Sequence, residues 1–600
     1  MSDANATQAV DAGRRLTRGD WAVLVGLCAL LDLPIVFSDR TLVAHETIHC
    51  CNVREMLQAR EWVVPTCGGF PWLERPPLPQ WMTAAVVASG GDWDAAWSYR
   101  LAAALASLGC VALTAWMAAV GFGRAIGLLS GAMTATMYEF SRYAVGTESD
   151  IFLTLVTTSA IALFVRIEFV EDHRTDRRGF FGGRPWASAA FFVVLGSTNI
   201  AKGLFFGTLH VLMPVGAFLL FAGDRSRMRR YVWFWGWLAF VAVSAAWPAA
   251  MAVRYPAVME IWIRDYPGRL SGGYVGEPVW YYALHLPTAL LPWTAVAAAG
   301  LVATRREASA HRDGLPRFVW CWAVLPPLVL SIPQGKHHHY LLECLPAWGM
   351  LAALGCVRLR DWWRAFTDRR WTLAIPAAIA TGGVAAVLLL QSKIRGGPAA
   401  PVVLASACVV AVFGAWFASR MRNGWAGAAV LLGGAVAGLL ASDAYRTTHF
   451  DAYADDMVFV ERVKAAVGEG EAIRVIADDH PLNPSWLLFH LGRRAVLEYD
   501  CTFALRAVEG VPMHIVAHEY DSWSFRKLGR LEVVARSRQS HHQLGPEDRL
   551  TLFRLTPGPA ADRSGVRADD IPPGRSRAKP QATPRLHPVG EAGAAGRSDN

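Results

Sequence analysis

The chain has 600 residues, of which 53% are hydrophobic and 18% charged, with 25 Trp among them, and its mean hydropathy is +0.26. Soluble proteins carry about 25% charged residues, so these values exclude both a single soluble core and a largely disordered chain. The net charge of +9 does not point to nucleic acid, because the arginines fall mostly in short hinges between apolar blocks, where they act as topology signals.

The apolar blocks are about 15 to 22 residues long, enough to cross a hydrocarbon core roughly 30 Å thick. In chain order the predicted spans are 21–37, 101–120, 125–138, 151–169, 186–200, 203–222, 231–253, 281–302, 318–332, 339–357, 371–390, 401–419 and 425–444. The expectation is an all-α polytopic membrane protein of about 13 helices. Arg14, Arg15 and Arg18 precede the first span without a clear small-residue cleavage site, so that span is expected to be retained. Residues 1–20 are then a cytoplasmic N-terminus and 21–444 a transmembrane domain.

With the N-terminus inside, alternate short loops carry the arginine clusters, among them Arg225, Arg227, Arg229 and Arg230, and Arg305, Arg306, Arg312 and Arg317. The positive-inside rule makes that side cytoplasmic. Two loops on the opposite side, 38–100 and 254–280, are long, aromatic and charged, and are expected to lie along the interface as short amphipathic helices. An odd number of spans places the C-terminal part outside. There, helical periodicity over 456–467 and short strands at 472–477, 495–498, 513–517, 531–535 and 550–555 predict a small extracytoplasmic α/β domain, 445–555. Residues 556–600 are Pro, Arg, Ala and Gly without period and are expected to be disordered. The ten Cys show no CxxC and no zinc-like spacing, so no disulfide framework or metal cage follows.

The most informative stretch is the first outer loop, in which Glu46, Arg54, Glu55, Met56, Leu57, Trp62, Pro65, Gly69, Glu74, Pro76 and Pro77 occur in order. Further along come Glu148 and Asp150, then Ala201-Lys202-Gly203, then Glu277, Pro278, Tyr281 and Tyr282 followed by Leu291-Pro292-Trp293, and then Gly335, Lys336, His339, Tyr340, Leu341 and Leu342. In order and spacing these segments resemble the membrane glycosyltransferases of the C-type (GT-C) fold that use polyprenyl-phosphate sugars, especially the lipid A aminoarabinose transferase and the dolichyl-phosphate-mannose protein mannosyltransferases. The resemblance covers nearly all of the membrane part.

It implies a transferase that moves a sugar from a polyprenyl phosphate to a lipid or protein acceptor on the outer face of the inner membrane, with membrane lipids but no nucleic acid as partners and no cofactor required. The family has Asp where this chain has His45, and Arg75 replaces its Lys. An imidazole also accepts a proton, so His45, Glu46 or Asp150 is expected to activate the acceptor. Arg75, Lys202, Arg269 and Lys336 fall at predicted outer span ends or in outer loops and could stabilise charge on the departing phosphate. Glu74, Glu148, Tyr281, Tyr282, His339 and Tyr340 complete the expected substrate contacts. His337, His338 and His339 suggest a metal site, but adjacent residues on a turn point different ways, and the metal question stays open. The rival readings are a scaffold derived from the enzyme, suggested by His45, and a transporter of lipid-linked sugars.

Overall fold

A computed structural model of the chain describes residues 15–42, 44–73, 75–171, 179–256, 258–260, 262–263, 276–365, 424–449, 454–476, 484–498, 503, 507–519, 522–538 and 549–559. Helix α1, Arg18–Val36, starts at a capping box in which Thr17 Oγ1 accepts from the Asp20 N–H and Asp20 accepts from the Thr17 N–H. Such caps contribute about 1 kcal/mol. Asp20 is also clasped by Arg124 Nε and Nη2 at 2.6 and 3.0 Å.

The first outer loop folds as α2, Ala44–Ala59, a two-stranded hairpin of β1, Thr66–Cys67, and β2, Phe70–Pro71, and α3, Leu78–Ala88. Apolar helices follow: α4, Ala96–Phe122, α5, Arg124–Ala135, the short α6, Tyr138–Ala144, and α7, Ser149–Phe169. Next come α8, Trp186–Ser197, the single turn α9, Asn199–Lys202, α10, Phe206–Leu220, and α11, Phe234–Arg254. The predicted span 281–302 is two helices, α12, Tyr281–Ala289, and α13, Thr294–Ala310, bent by 108°. Helix α14, Leu315–Leu330, a 3-10 turn His338–Cys344, α15, Leu345–Ala365, and α16, Gly424–His449, complete the helical part.

Among the described residues, five helices are long and apolar enough to cross a membrane: α1, α4, α7, α11 and the run His338–Arg358, with the bent α12–α13 pair a sixth if it is one span. The expected spans 371–390 and 401–419 lie outside the described residues, as do Arg269, Glu74 and the tail from 560 on.

The C-terminal segment contains α17, Ala454–Ala466, β3, Ile473–Ile476, α18, Pro484–Leu491, β4, Ala495–Glu498, β5, Met513–His518, α19, Ser522–Arg526, β6, Gly529–Arg536, and β7, Leu550–Pro557. The last strand runs past the expected boundary at 555. The sheet order is β4-β3-β5-β7-β6, parallel through β4-β3-β5 and antiparallel at β7 and β6. Alternation along β3 buries Ile473 and Val475.

Contacts divide the chain into two units, one of Met1–Ser38, Glu74–Pro79 and Arg100–Phe450, the other of Asp39–Leu73, Gln80–Tyr99 and Asp451–Asn600. The second unit therefore joins most of the first outer loop to the α/β segment. Arg54 of α2, 4% exposed, donates to the carbonyls of Leu488 and Phe489 in α18 at 2.8 and 3.2 Å, and Trp486 Nε1 donates to the Leu42 carbonyl at 2.9 Å.

In the first unit the helices approach closely at small residues. A Cβ on Gly300 would lie 1.8 Å from the Leu351 carbonyl oxygen, and one on Gly355 would lie 2.0 Å from that of Val296, so α13 and α15 touch backbone to backbone, the small-residue packing typical of membrane helices. Gly355→Val should cost about 1–3 kcal/mol through overpacking, whereas Gly433→Val, with nothing within 4 Å, should cost far less. Thermal unfolding of the two full-length variants in detergent measures the difference.

Candidate active site

The site is built around the first turn of α7. Asp150 sits there, 1% exposed, where the helix N-terminus favours a negative charge. Its partner is the Lys202 ammonium, in direct ion pair with Oδ1, and His339 Nε2 stands 3.6 Å from the same oxygen. Arg75 Nη1 donates to Ser149 Oγ at 2.8 Å, which brings a second permanent cation to the start of the helix.

Lys202 is placed by the turn that carries it. Gly203 has φ +116° and Phe205 φ +67°, backbone that glycine adopts freely and Phe rarely. The strain is held by Asn199, whose Oδ1 accepts from the Phe205 N–H at 2.7 Å and Thr208 Oγ1 at 2.9 Å while its Nδ2 donates to Ser244 at 2.8 Å. The ammonium then lies 4.9 Å from the Phe206 ring centroid and 4.7 Å from that of Tyr340, between two π faces that attract a cation. With its side chain only 8% exposed, Lys202 balances Asp150 in an environment of low dielectric, where an unpaired charge is costly.

Beneath this pair lie two residues that the sequence reading missed. His210 Nδ1 faces the Phe206 carbonyl at 2.9 Å and Nε2 faces the Tyr340 carbonyl at 3.3 Å. The ring thus lies between the two residues whose side chains flank Lys202. A neutral imidazole donates to one carbonyl only. Glu343 Oε2 lies 3.7 Å from Nε2. Neither Glu343 carboxylate oxygen has a hydrogen-bond partner among the described residues, and the residue is 1% exposed. The available signal was an acid inside the predicted span 339–357, since ionisable groups within spans are rare and functional by default.

The segment after Gly335 is positioned from the other side. Gly335 forms an antiparallel bridge with Gly276, the Glu277 N–H donates to the Gln334 carbonyl at 3.0 Å, and Tyr282 Oη donates to the His337 carbonyl at 3.2 Å. Lys336, 2% exposed, donates to the Glu277 carbonyl at 2.8 Å. Its ammonium is thus engaged with backbone, apart from the Asp150 pair. Tyr281 is buried and stacks on His285 at 3.9 Å.

His338 pairs with Glu139 of α6, while the rings of His337 and His339 are stacked at 5.2 Å. Burial, then the charges of Lys202 and His338, lowers the His337 pKa below its ordinary value. Among the described residues no three His, Cys, Asp or Glu come together to hold a metal ion. Glu148 is the N-cap residue of α7, half-buried and without a side-chain cap bond. Burial first, then its charge and that of Asp150, raises the Tyr143 phenol above its usual range. At the other end of α7, Glu168 accepts from Arg230 Nη1 at 3.1 Å and from Tyr231 Oη at 3.0 Å, with Arg227 at 3.5 Å.

His45 and Glu46 belong to the second unit. His45 is exposed. Glu46, in the first turn of α2 and 1% exposed, pairs with Arg40 at 2.9 Å.

A buried carboxylate–ammonium pair with a neighbouring imidazole and a second cation suits an anionic leaving group, and the fold in which it sits is that of a C-type (GT-C) membrane glycosyltransferase. The chain matches ArnT from Cupriavidus metallidurans bound to undecaprenyl phosphate with a TM-score of 0.71 at 19% identity, over 90% of this chain and 98% of that one. The apo structure of the same protein gives 0.69 at 20% identity, over 89% and 97%. In sequence the chain is similar to the undecaprenyl phosphate-alpha-4-amino-4-deoxy-L-arabinose arabinosyl transferase of Edwardsiella ictaluri, 28% identical over 527 residues, 82% of this chain and 88% of that protein. The protein of the same name from Serratia proteamaculans is 26% identical over 347 residues, 56% and 59% of the two chains. No family model matches the chain. The resemblance seen in the sequence motifs is thus borne out by relatives of that name.

The ion pair itself is open to test. Lys202→Met should destabilise the protein by about 3–5 kcal/mol, the cost of leaving a buried charge without its partner, and adding Asp150→Asn should recover most of that loss. SDS unfolding of the two variants beside the parent measures both.

Proposed function

We propose that the chain is a glycosyltransferase that moves a sugar from a polyprenyl phosphate to a lipid or protein acceptor on the outer face of the inner membrane. The observation that carries this reading is the Asp150–Lys202–His339 cluster with Arg75 at the start of α7, in a chain similar over 82% of its length to an undecaprenyl phosphate-aminoarabinose arabinosyl transferase. The further topology belongs to the same proposal: about 13 spans, a cytoplasmic N-terminus, and an α/β domain outside the membrane.

In the proposed reaction the bond between the anomeric carbon and the phosphate oxygen breaks, and its electron pair leaves with the polyprenyl phosphate. Arg75 and Lys202 offset the charge that develops there. A phosphate that draws Lys202 toward itself loosens the ammonium's hold on Asp150, whose carboxylate can then stabilise positive charge at the anomeric carbon or take the proton of the acceptor hydroxyl. The acceptor oxygen closes the new glycosidic bond. Because the donor carries its own leaving group, the scheme requires no cofactor.

Purified protein should transfer radiolabel from an undecaprenyl-phosphate pentose, aminoarabinose first, to lipid A or to an envelope lipid or protein extract. Asp150→Asn should lower turnover per folded molecule about 10²-fold or more, the usual contribution of an acid–base group, beyond any loss of yield from leaving Lys202 without its partner. Wild-type turnover in that variant would overturn the assignment. Parallel assays of Glu46→Gln and His45→Asp test the expected role of those residues: the first should abolish transfer, and the second should keep or raise it if His45 occupies the family's Asp position.

A further inference from the structure

The spacing of the cysteines shows no disulfide framework, yet folding brings two of them together in the second unit. Cys51 lies on α2 and Cys67 on β1, and both belong to the same apolar cluster as Val53, Trp486 and Leu488, with Cys51 fully buried and Cys67 partly so. The residues beside them are bonded across the same gap. With its amide oriented to satisfy its surroundings, Asn52 donates to the Thr66 carbonyl at 2.9 Å. One turn along the helix, Glu55 accepts from the N–H groups of Gly68 and Gly69 at 2.5 and 3.0 Å.

Cys67 therefore sits between two residues fixed to the face of α2 that carries Cys51, whose thiol donates to the Ser485 carbonyl at 3.3 Å. The hairpin permits this approach because Gly68 and Gly69, at φ +66° and +82°, reverse the chain in a conformation that other residues seldom adopt.

We propose that Cys51 and Cys67 form an intramolecular disulfide in the mature protein, a covalent tie between the first helix of the outer loop and its hairpin. The inference rests on the extracytoplasmic placement of loop 38–100 in the proposed function, since disulfides form and persist in oxidising compartments. Each thiol gives up one proton and one electron as the S–S bond forms. The two electrons and two protons pass to the disulfide of a protein thiol–disulfide oxidoreductase, which is reduced to its dithiol by ordinary exchange. The neighbouring Cys51 sulfur, and then burial, raise the Cys67 thiol above its usual pKa. The tie closes a loop of 15 residues between the two cysteines and removes conformational freedom from the unfolded chain. Eight residues beyond Cys67 the chain reaches Arg75.

The test is alkylation of the full-length protein in acid-quenched, denatured membranes, before and after reduction, followed by peptide mass mapping. The expected result is that Cys51 and Cys67 resist maleimide until reduced and appear as one linked peptide pair, and that Cys51→Ser or Cys67→Ser exposes the remaining thiol. Alkylation of both without reductant, or a bridge to Cys50 instead, would overturn the proposal. A Ser89→Cys reporter in the Cys51→Ser/Cys67→Ser background separates this failure from a failure of the topology. If an impermeant thiol reagent reaches position 89 from outside while the native pair is reduced, the disulfide is refuted and the topology stands. If position 89 is reached only from the cytoplasmic side, the placement on which both rest is refuted.

Discussion

A carboxylate and an ammonium buried in an apolar helical bundle are tolerable only as partners, and this constraint organises the first unit. Neither Asp150 nor Lys202 could be held so far from water alone. Their pairing in turn requires the strained Gly203–Phe205 turn, the Asn199 network that supports it, and the two aromatic rings around the ammonium. A charge pair of this kind is stable at rest and responsive to an anion, because an incoming phosphate offers the ammonium another partner. In the proposed function, structural stability and the response to a phosphate reside in the same few atoms.

Much of this was legible in the sequence because the motifs are local. The A-K-G turn, the acids before α7 and the G-K-x-x-H-Y segment are each contiguous, and Lys202, Asp150, His339 and Tyr340 do come together. The strands of the α/β segment were equally readable, since alternation along β3 and the short apolar run of β5 are properties of neighbours in the chain.

What the sequence concealed depends on distant partners. Nothing near His210 announces that its ring will bridge Phe206 and Tyr340, and nothing near Glu139 announces His338. The single span expected over 281–302 is two helices, because the Leu290–Trp293 break is pinned from elsewhere: the Tyr138 N–H donates to the Leu291 carbonyl at 2.8 Å and Trp293 Nε1 to Thr136 at 2.9 Å. Hydropathy cannot register a bend that leaves composition unchanged. Lys336 illustrates the converse: the motif is present, but the ammonium is taken up by a backbone carbonyl.

Helix α7 carries an anchored acid near each end, Asp150 on Lys202 and Glu168 on Arg227, Arg230 and Tyr231. Eighteen residues separate the two, about 27 Å at the rise of an α-helix, close to the thickness of a bilayer's hydrocarbon. The helix consequently behaves as a gauge rod with a stop at either end. The distance between the two anchored acids is thus fixed by the rigid rise of one helix rather than by the loops at its ends.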